Sequence, residues 1–378
     1  MEFRDLGAQY SALKDDIDAA IATVLGSGRF IGGPEVSALE SELAEYVGVK
    51  HCITCGNGTD ALQLALLAWG IGSGDAVIVP DFTFFSSGEV VSAVGATPVF
   101  VDVLEDTFNI DPSQIAPACA LARERGLRPR VVVAVDLFGL PANYPEIRKV
   151  CESEGLLLLE DGAQGFGGAI GEKRACSFGD ISTTSFFPAK PLGCYGDGGA
   201  VFTDSDEWAE LIRSYAVHGK GSMKYDNVRV GMNSRLDALQ AAILRVKLSA
   251  FAEHEVDDVN ERAAMYDELL ADAPVKLPRV PDGFLSSWAQ YTVILPGGID
   301  RDTLQTHLKE QGVPTMVYYP KPMHKQRAFD RGCLALTCLV TERLCGKVLS
   351  FPMGPYLKSV DFVRLADVLF RFWVTYER

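Results

Sequence analysis

Short apolar runs alternate with amphipathic segments between residues 50 and 250, and this alternation constrains the fold more than any other feature. Seven runs have the composition of buried strands: Cys52–Thr54, Ala76–Val79, Thr97–Val101, Arg130–Val135, Leu156–Glu160, Ile181–Ser185 and Gly199–Thr203. Four segments read as helices: Asp60–Trp69, Ser86–Val94, Tyr144–Glu154 and Asp237–Leu248. Strands that alternate with helices predict a mainly parallel central sheet covered on both faces, which is an α/β fold.

The pattern changes after the last of these helices. A charged stretch from Glu253 to Arg262 continues the helix, and Ala273–Pro281 then reads as a turn. A strand at Trp288–Leu295 and helices at Asp302–Gln311 and Asp361–Phe372 follow. With 378 residues the chain is long enough for two domains. We therefore expect a large domain over residues 1–248 and a smaller α+β domain over residues 249–378.

Charge and cysteine content limit the partners and the compartment. The formal net charge of −15 argues against nucleic acid, because phosphate contacts require clustered lysine and arginine. Nine cysteines without a secretory start indicate free thiols in a reducing compartment. No apolar run approaches 18 residues, so no membrane span is expected. The predicted location is the cytoplasm.

Lys190 lies between apolar residues and a glycine-rich turn, in the stretch from Thr184 to Ala200. Burial among apolar groups favours the neutral amine of a lysine and makes it a nucleophile. This is the chemistry needed to form a Schiff base with an aldehyde cofactor such as pyridoxal phosphate (PLP). An ordinary surface lysine beside a turn is the alternative, and a second motif upstream argues against it.

That second motif is an apolar run from Leu156 to Leu159 that ends in Glu160 and Asp161. Ligands collect at the carboxyl ends of parallel strands, and a carboxylate there can pair with a protonated pyridine nitrogen. Gln164 follows three residues later, within reach of a ring hydroxyl. When Asp161 is considered without Lys190, the alternative is a helix cap or a solvated carboxylate in a loop.

A candidate phosphate site joins the first strand to its helix. Gly58 and Thr59 lie in a turn of small residues, where backbone N–H groups and the helix dipole can bind a phosphate. Ser185, five residues before Lys190, is a candidate hydroxyl donor to the same phosphate. Phe84 is a candidate to stack on an aromatic ring. The alternative for Phe84 is a position in the core, and the alternative for Thr59 is a helix cap without a ligand.

Together these stretches resemble the nucleotide-sugar aminotransferases of the DegT/StrS type, which are fold-type I PLP enzymes with an aspartate-aminotransferase-like fold. The resemblance covers nearly the whole chain. Its motifs follow the order of the family: Gly32–Val36, Asn57–Leu62, Pro80–Phe84, Glu160–Gln164, Ser185–Gly199 and Gly231–Asp237. The stretch around Lys190 is most similar to the subgroup that aminates a 3-keto UDP-N-acetylglucosaminuronate in surface-polysaccharide synthesis.

The resemblance implies a role for each matched residue. Lys190 would form the covalent link to PLP, Asp161 would pair with the pyridine nitrogen, and Gln164 would lie near the ring hydroxyl. Phosphate contacts would come from Gly58, Thr59 and Ser185, while Phe84 would stack on the ring. Asn233 would reach the phosphate site from a neighbouring subunit, and Arg235 would lie near the sugar. The implied assembly is a homodimer with shared active sites, and no metal site is predicted.

One departure bears on the substrate. Tyr318-Tyr319-Pro320 stands where relatives that process uronates often have His-Tyr-Pro. A 4-keto-6-deoxy nucleotide sugar therefore remains an alternative to the UDP-linked 3-keto uronate. Tyr319 and His324 are candidates for substrate contact, and packing or surface positions are the alternatives.

The predicted reaction is a ping-pong transamination from L-glutamate to the keto sugar, with Lys190 as both anchor and proton carrier. A PLP-dependent sugar dehydratase is a close alternative, but relatives of that kind carry histidine in place of the lysine. An NAD-dependent oxidoreductase is disfavoured because no GxGxxG opens a helix after the first strand. A PLP-binding regulatory protein without turnover remains open.

Overall fold

The fold is taken from a computed structural model, which describes residues 1–223, 225–330 and 332–376. Its strands are β1 His51–Cys55, β2 Asp75–Pro80, β3 Thr97–Val101, β4 Arg128–Val135, β5 Leu157–Asp161, β6 Ala169–Ile170, β7 Lys173–Arg174, β8 Ile181–Ser185, β9 Gly199–Thr203, β10 Phe284–Leu285, β11 Tyr291–Ile294, β12 Leu334–Ala335 and β13 Val348–Phe351. Its helices are α1 Leu6–Ser27, α2 Pro34–Val47, α3 Gly58–Ala68, α4 Ser86–Ala93, α5 Ile115–Glu124, α6 Tyr144–Glu154, α7 Asp206–Ala216, α8 Ala238–Ala250, α9 Val256–Leu269, α10 Arg301–Glu310, α11 Leu339–Lys347 and α12 Ser359–Tyr376.

A large sheet with the strand order β1-β9-β8-β5-β4-β2-β3-β12 forms the centre of the molecule. Pairing is parallel from β8 through β5, β4, β2 and β3 to β12, whereas β9 is antiparallel to both its neighbours. The parallel strands therefore end at one edge of the sheet. β2, β5 and β8 end there at Pro80, Asp161 and Ser185, which places three sequence motifs side by side.

Both faces of this sheet are buried, which explains why its strands read as continuous apolar runs. Alternate residues of β4 point to opposite faces: Val131 and Val133 pack into one apolar cluster, and Val132 and Ala134 into another. The first cluster includes side chains of α3, α4 and α7, and the second includes those of α5 and α6. Helices thus cover the sheet on both sides, and the predicted α/β class with a mainly parallel sheet is confirmed.

All eight predicted strands are present, the one predicted at Trp288–Leu295 being β11. The predicted helices lie within a few residues of the observed bounds, except that the helix expected to continue to Arg262 ends at Leu269. The sequence did not predict α1, α2, α5, α7 or α11. α1 shows why: its 22 residues bury only Gln9, Ile17 and Val24, so the apolar periodicity that marks a helix is weak. α1 packs mainly on α8.

The C-terminal part has its own apolar cluster, formed by residues between Val259 and Phe372 around the antiparallel pair β11–β13. β12 nevertheless joins the edge of the large sheet beside β3. A division into domains at residue 248 remains a prediction. None of the helices in the described residues is long and apolar enough to cross a membrane.

Candidate active site

Lys190 lies in the loop that joins β8 to β9, at the carboxyl edge of the sheet. The loop is closed by the hydrogen bond from the Phe186 N–H to the Gly198 carbonyl (2.8 Å) and by that from the Lys190 N–H to the Phe187 carbonyl (2.8 Å). The side chain is partly buried. Burial lowers the pKa of the Lys190 amine to about 8, while the Asp161 carboxylate raises it and the Arg4 guanidinium lowers it. A large fraction of the amine is therefore neutral near pH 8 and available as a nucleophile.

Asp161 ends β5 and is 4% exposed. One carboxylate oxygen accepts a hydrogen bond from the Ser87 hydroxyl at 2.8 Å, and the other accepts one from the Ala163 N–H at 3.2 Å. Burial raises the pKa of Asp161, whereas these hydrogen bonds and the charge of Lys190 lower it. A cation placed against this carboxylate would offset the cost of its burial.

Gln164 is buried and held at both ends of its amide. Its oxygen accepts a hydrogen bond from the Phe138 N–H at 2.8 Å, and its nitrogen donates one to the Tyr319 hydroxyl at 3.1 Å. The Tyr319 ring lies 6.4 Å from the ring of Phe84, measured between centroids. Phe84 is 53% exposed, which is unusual for a phenylalanine and leaves a face of its ring open to a ligand. The structure therefore brings Gln164, Tyr319 and Phe84 together.

The start of α3 lies beside the end of β8. Asn57, and not Thr59, caps this helix, since its side chain accepts a hydrogen bond from the Asp60 N–H. A Cβ on Gly58 would lie 2.7 Å from the Cβ of Ser185, so only glycine permits this close approach. The Thr59 hydroxyl lies 2.7 Å from the Ser86 hydroxyl. Hydroxyls therefore gather near the positive end of a helix dipole, which suits a phosphate.

Asn233 and Arg235 lie in the segment before α8, and both are exposed in the single chain. Ser234 between them is buried, and its hydroxyl donates to Asp60 at 2.6 Å and accepts from the Gly56 N–H at 2.9 Å. Neighbouring side chains of an extended segment point in opposite directions. Ser234 thus faces the turn at the start of α3, while Asn233 and Arg235 face outward.

His324 is not open to a substrate through its ring nitrogens. Its Nδ1 lies 2.6 Å from the carboxylate of the buried Asp81, and its Nε2 lies 3.5 Å from the carboxylate of Glu342. The His324 N–H also donates to Asp81 at 2.8 Å. These bonds tie the segment after Pro320 to the end of β2, so the contacts of His324 correspond to the packing alternative.

Comparison with known proteins then assigns the family. Residues 11–370 match the model of the DegT/DnrJ/EryC1/StrS aminotransferase family. The chain belongs to this family. The resemblance drawn from the motifs is confirmed.

The relatives of this DegT/StrS member include enzymes with named reactions. It is 44% identical over 361 residues to a UDP-2-acetamido-2-deoxy-3-oxo-D-glucuronate aminotransferase from Pseudomonas aeruginosa, covering 96% of this chain and 97% of that one. It is 40% identical over 367 residues to a UDP-N-acetyl-3-dehydro-alpha-D-glucosamine 3-aminotransferase from Acidithiobacillus ferrooxidans, covering 97% and 96%.

Solved structures agree with the assignment. A DegT/DnrJ/EryC1/StrS aminotransferase from Brucella abortus superimposes with a TM-score of 0.95 at 46% identity, covering 98% of this chain and 99% of that one. A Bacillus subtilis protein with bound pyridoxamine phosphate (PMP) superimposes with a TM-score of 0.84 at 29% identity, covering 95% and 82%. This DegT/StrS member is therefore a PLP-dependent aminotransferase.

The residues of the site suit PLP. The buried Asp161 carboxylate offers a partner for a pyridinium nitrogen, and the Lys190 amine offers a nucleophile for an aldehyde. The hydroxyls of Thr59 and Ser185 and the N-terminus of α3 offer donors for a phosphate.

Two serines of this site were missed from the sequence. Ser86 contacts Thr59, and Ser87 donates to Asp161 and lies 3.0 Å from the Thr83 hydroxyl. Both follow the Phe84-Phe85 pair directly. A pair of hydroxyls at the start of a predicted helix reads as an N-cap, and nothing local indicates that Ser87 contacts a residue 74 positions away.

Proposed function

We propose that this chain transfers the amino group of L-glutamate to a UDP-linked keto sugar, specifically UDP-2-acetamido-2-deoxy-3-oxo-glucuronate, for surface-polysaccharide synthesis. The observation that carries the proposal is the partly buried Lys190 amine beside the buried Asp161 carboxylate. The 44% identity to the Pseudomonas aeruginosa enzyme across almost the whole chain supports the choice of sugar.

The chemistry divides between the cofactor and the protein. Bound PLP supplies an aldehyde that condenses with amines and a ring that accepts electrons. The Asp161 carboxylate would hold a protonated ring nitrogen, because it is buried and its hydrogen-bond donors are the uncharged Ser87 hydroxyl and Ala163 N–H. The Lys190 amine would be the base that takes the proton from the glutamate Cα and the acid that returns it. Glutamate leaves as 2-oxoglutarate, and the same groups act in reverse order on the keto sugar.

The reaction is tested with purified protein, PLP, L-glutamate and the candidate sugar. We expect 2-oxoglutarate and an amino sugar in equal amounts, measured by a coupled dehydrogenase assay and by mass spectrometry. A protein that shows no turnover of any keto nucleotide sugar, although it exchanges glutamate with 2-oxoglutarate, would contradict the choice of acceptor. It would leave the aminotransferase assignment intact.

Arg235 is proposed to hold the sugar carboxylate. A guanidinium binds a carboxylate through two charge-assisted hydrogen bonds, and Arg235 is exposed without a salt bridge among the described residues. We expect Arg235→Ala to lower kcat/KM for the 3-keto uronate by about 10²-fold, the equivalent of one lost charged hydrogen-bond pair. Arg235→Lys keeps the positive charge but not the two parallel hydrogen bonds. Its kcat/KM should therefore lie between the values of the original protein and of Arg235→Ala.

Two further sugars make this test specific. UDP-N-acetyl-3-keto-glucosamine, the class named for the Acidithiobacillus relative, lacks only the carboxylate. Its turnover should change little in Arg235→Ala, measured as kcat/KM under the same conditions. An equal loss on both sugars would contradict a carboxylate contact. Turnover of a 4-keto-6-deoxy nucleotide sugar alone would favour the alternative substrate that Tyr318 leaves open.

We propose that the active enzyme is a homodimer with shared sites. The outward direction of Asn233 and Arg235 supports this arrangement, because neither points toward the phosphate turn that Ser234 contacts. Apolar side chains in the same segment are also exposed, with Met223 at 67% and Val230 at 92%. Exposed apolar residues that cluster in one segment indicate a contact surface.

Mixing two inactive variants tests the shared site. A Lys190→Ala chain and an Asn233→Ala chain should each be inactive alone, but their mixed dimer holds one site with both residues intact. A 1:1 mixture should therefore recover about a quarter of the original activity, since half of the dimers are mixed and each has one intact site. Subunit exchange is verified by native mass spectrometry. No recovery after verified exchange would indicate that each site is built from one chain.

We also propose a cytoplasmic location. All nine cysteines are free thiols in the structure, and eight of them are buried. Buried free thiols without disulfides are typical of a reducing compartment.

A further inference from the structure

Two cations bind backbone carbonyls of the loop that carries Lys190. The Arg4 guanidinium donates to the Pro191 carbonyl at 3.2 Å, and the Lys247 ammonium donates to the Gly193 carbonyl. The loop is fixed further by Gln240, whose side-chain oxygen accepts from the Tyr195 N–H at 2.9 Å. The loop thus depends on residues that lie far from it in sequence.

Glu255 supplies the opposite charge to these cations. It is 2% exposed, and its carboxylate accepts hydrogen bonds from the Gln9 amide at 2.9 Å and from the Tyr356 hydroxyl at 2.8 Å. Lys247 is 1% exposed and lies 4.8 Å from the centre of the Tyr195 ring. Proteins rarely bury a charged side chain without a partner. We therefore treat Arg4, Lys247 and Glu255 as one cluster of charges.

The backbone between α8 and α9 aligns Lys247 with Glu255. Residues eight apart in a regular α-helix are rotated by about 80° from each other. A π-helical turn at Phe251–Glu255 accommodates one extra residue, which reduces that rotation to about 20°. Lys247 and Glu255 therefore share one face of the helix, and that face lies under the Lys190 loop.

The electrostatic balance of the cluster is positive. Burial lowers the pKa of Lys247 to about 8 and that of Arg4 to about 10, and the Glu255 carboxylate opposes both effects. The charges that act on Lys190 are the Asp161 carboxylate, which raises its pKa, and the Arg4 guanidinium, which lowers it. Arg4 remains a cation at neutral pH and thus opposes protonation of the Lys190 amine.

We propose that Arg4 and Lys247 fix the Lys190 loop through its backbone carbonyls, and that Arg4 places a positive charge beside the Lys190 amine. Arg4 is then a positioning residue that acts through Lys190. The inference rests on the proposed role of Lys190 only for its link to catalysis. The contacts themselves are independent of the substrate.

The test measures the amine of Lys190 directly. The full-length, cofactor-free protein is labelled competitively with acetic anhydride between pH 6 and 11, and the labelling of the Lys190 peptide is followed by mass spectrometry. The midpoint should lie near 8. Arg4→Gln should raise it by about half to one pH unit, because a nearby cation is removed. Glu255→Gln should leave the midpoint within about 0.3 pH unit, because the charges that act on Lys190 are those of Asp161 and Arg4.

A charge-conserving variant and the exchange of the loop peptide separate the electrostatic role of Arg4 from its structural role. Arg4→Lys keeps the cation and should leave the midpoint within about 0.3 pH unit of its original value. Hydrogen exchange of the loop peptide should become faster in Arg4→Gln, since the bond to Pro191 is lost. If Arg4→Gln does not fold, Lys247→Gln is measured in its place, and exchange of the loop peptide should become faster because the bond to Gly193 is lost. An unchanged midpoint in Arg4→Gln, or unchanged exchange of the loop peptide in the folded variant, would overturn the proposal.

The test also separates this proposal from the proposed function. Borohydride reduction of the PLP-loaded protein identifies the lysine that holds the cofactor, and labelling identifies what controls the Lys190 amine. A pyridoxyl group on another lysine would contradict the proposed catalytic role of Lys190. The effect of Arg4 on the Lys190 amine would still be tested by the labelling midpoints.

Discussion

Replacing Lys190 by alanine is expected to abolish transamination. The variant lacks both the amine proposed to anchor PLP and the base proposed to move the proton at the donor Cα, so we expect at least about a 10⁴-fold loss of kcat. PMP should still bind, because Asp161, Thr59 and Ser185 are unchanged. Steady-state assays with L-glutamate and the keto sugar, together with PMP titration, measure the two effects.

Lys190→Arg is the matched control, because it keeps the positive charge and much of the side-chain volume but supplies no neutral amine near pH 8. It should be as inactive as Lys190→Ala. Borohydride reduction followed by peptide mapping should place the pyridoxyl group on Lys190 in the original protein. Activity of either variant within tenfold of the original would contradict the assignment.

Asp161→Asn is expected to reduce kcat by about 10²–10⁴-fold, because the replacement removes the carboxylate proposed to pair with the protonated ring nitrogen of PLP. The change keeps the shape of the side chain, and Ser87 can still donate to the amide oxygen. The loss therefore measures the carboxylate charge at the cofactor ring and not the packing of β5. Kinetics at saturating concentrations of both substrates and the absorbance spectrum of bound PLP provide the readouts.

Ser87→Ala provides the control for Asp161. It removes the 2.8 Å hydrogen bond and leaves the charge. Loss of this bond should raise the pKa of Asp161 further, because the Ser87 hydroxyl stabilises the charged carboxylate and so offsets part of the effect of burial. We expect a loss of kcat of about tenfold, equivalent to one hydrogen bond. Activity of Asp161→Asn within threefold of the original would indicate that the carboxylate does not interact with the ring.

The sequence predicted most of the strands because their apolar runs are buried on both faces. β5 is such a run: the strand predicted over Leu156–Glu160 is observed over Leu157–Asp161. Helices with few buried residues were missed, as in α1, because helix periodicity is visible only where one face packs on a core.

Candidate site residues were predicted where a motif combines chemistry with position. Lys190, Asp161 and Gln164 lie at the carboxyl edge of the sheet, as expected for strand ends. His324 shows the limit of this approach. His324 was a candidate for substrate contact, but its ring nitrogens face Asp81 and Glu342. A sequence does not show which carboxylates fold against a histidine.

The sequence by itself determined the α/β class, the family and the residues proposed to carry the cofactor chemistry, because these depend on local composition and on motifs within single loops. The tertiary structure decided which distant groups act on those residues. Arg4 contacts the loop of Lys190 across 187 positions, and Ser87 contacts Asp161 across 74. Such contacts depend on how helices and strands pack, and packing joins residues whose neighbours in sequence carry no sign of the pairing.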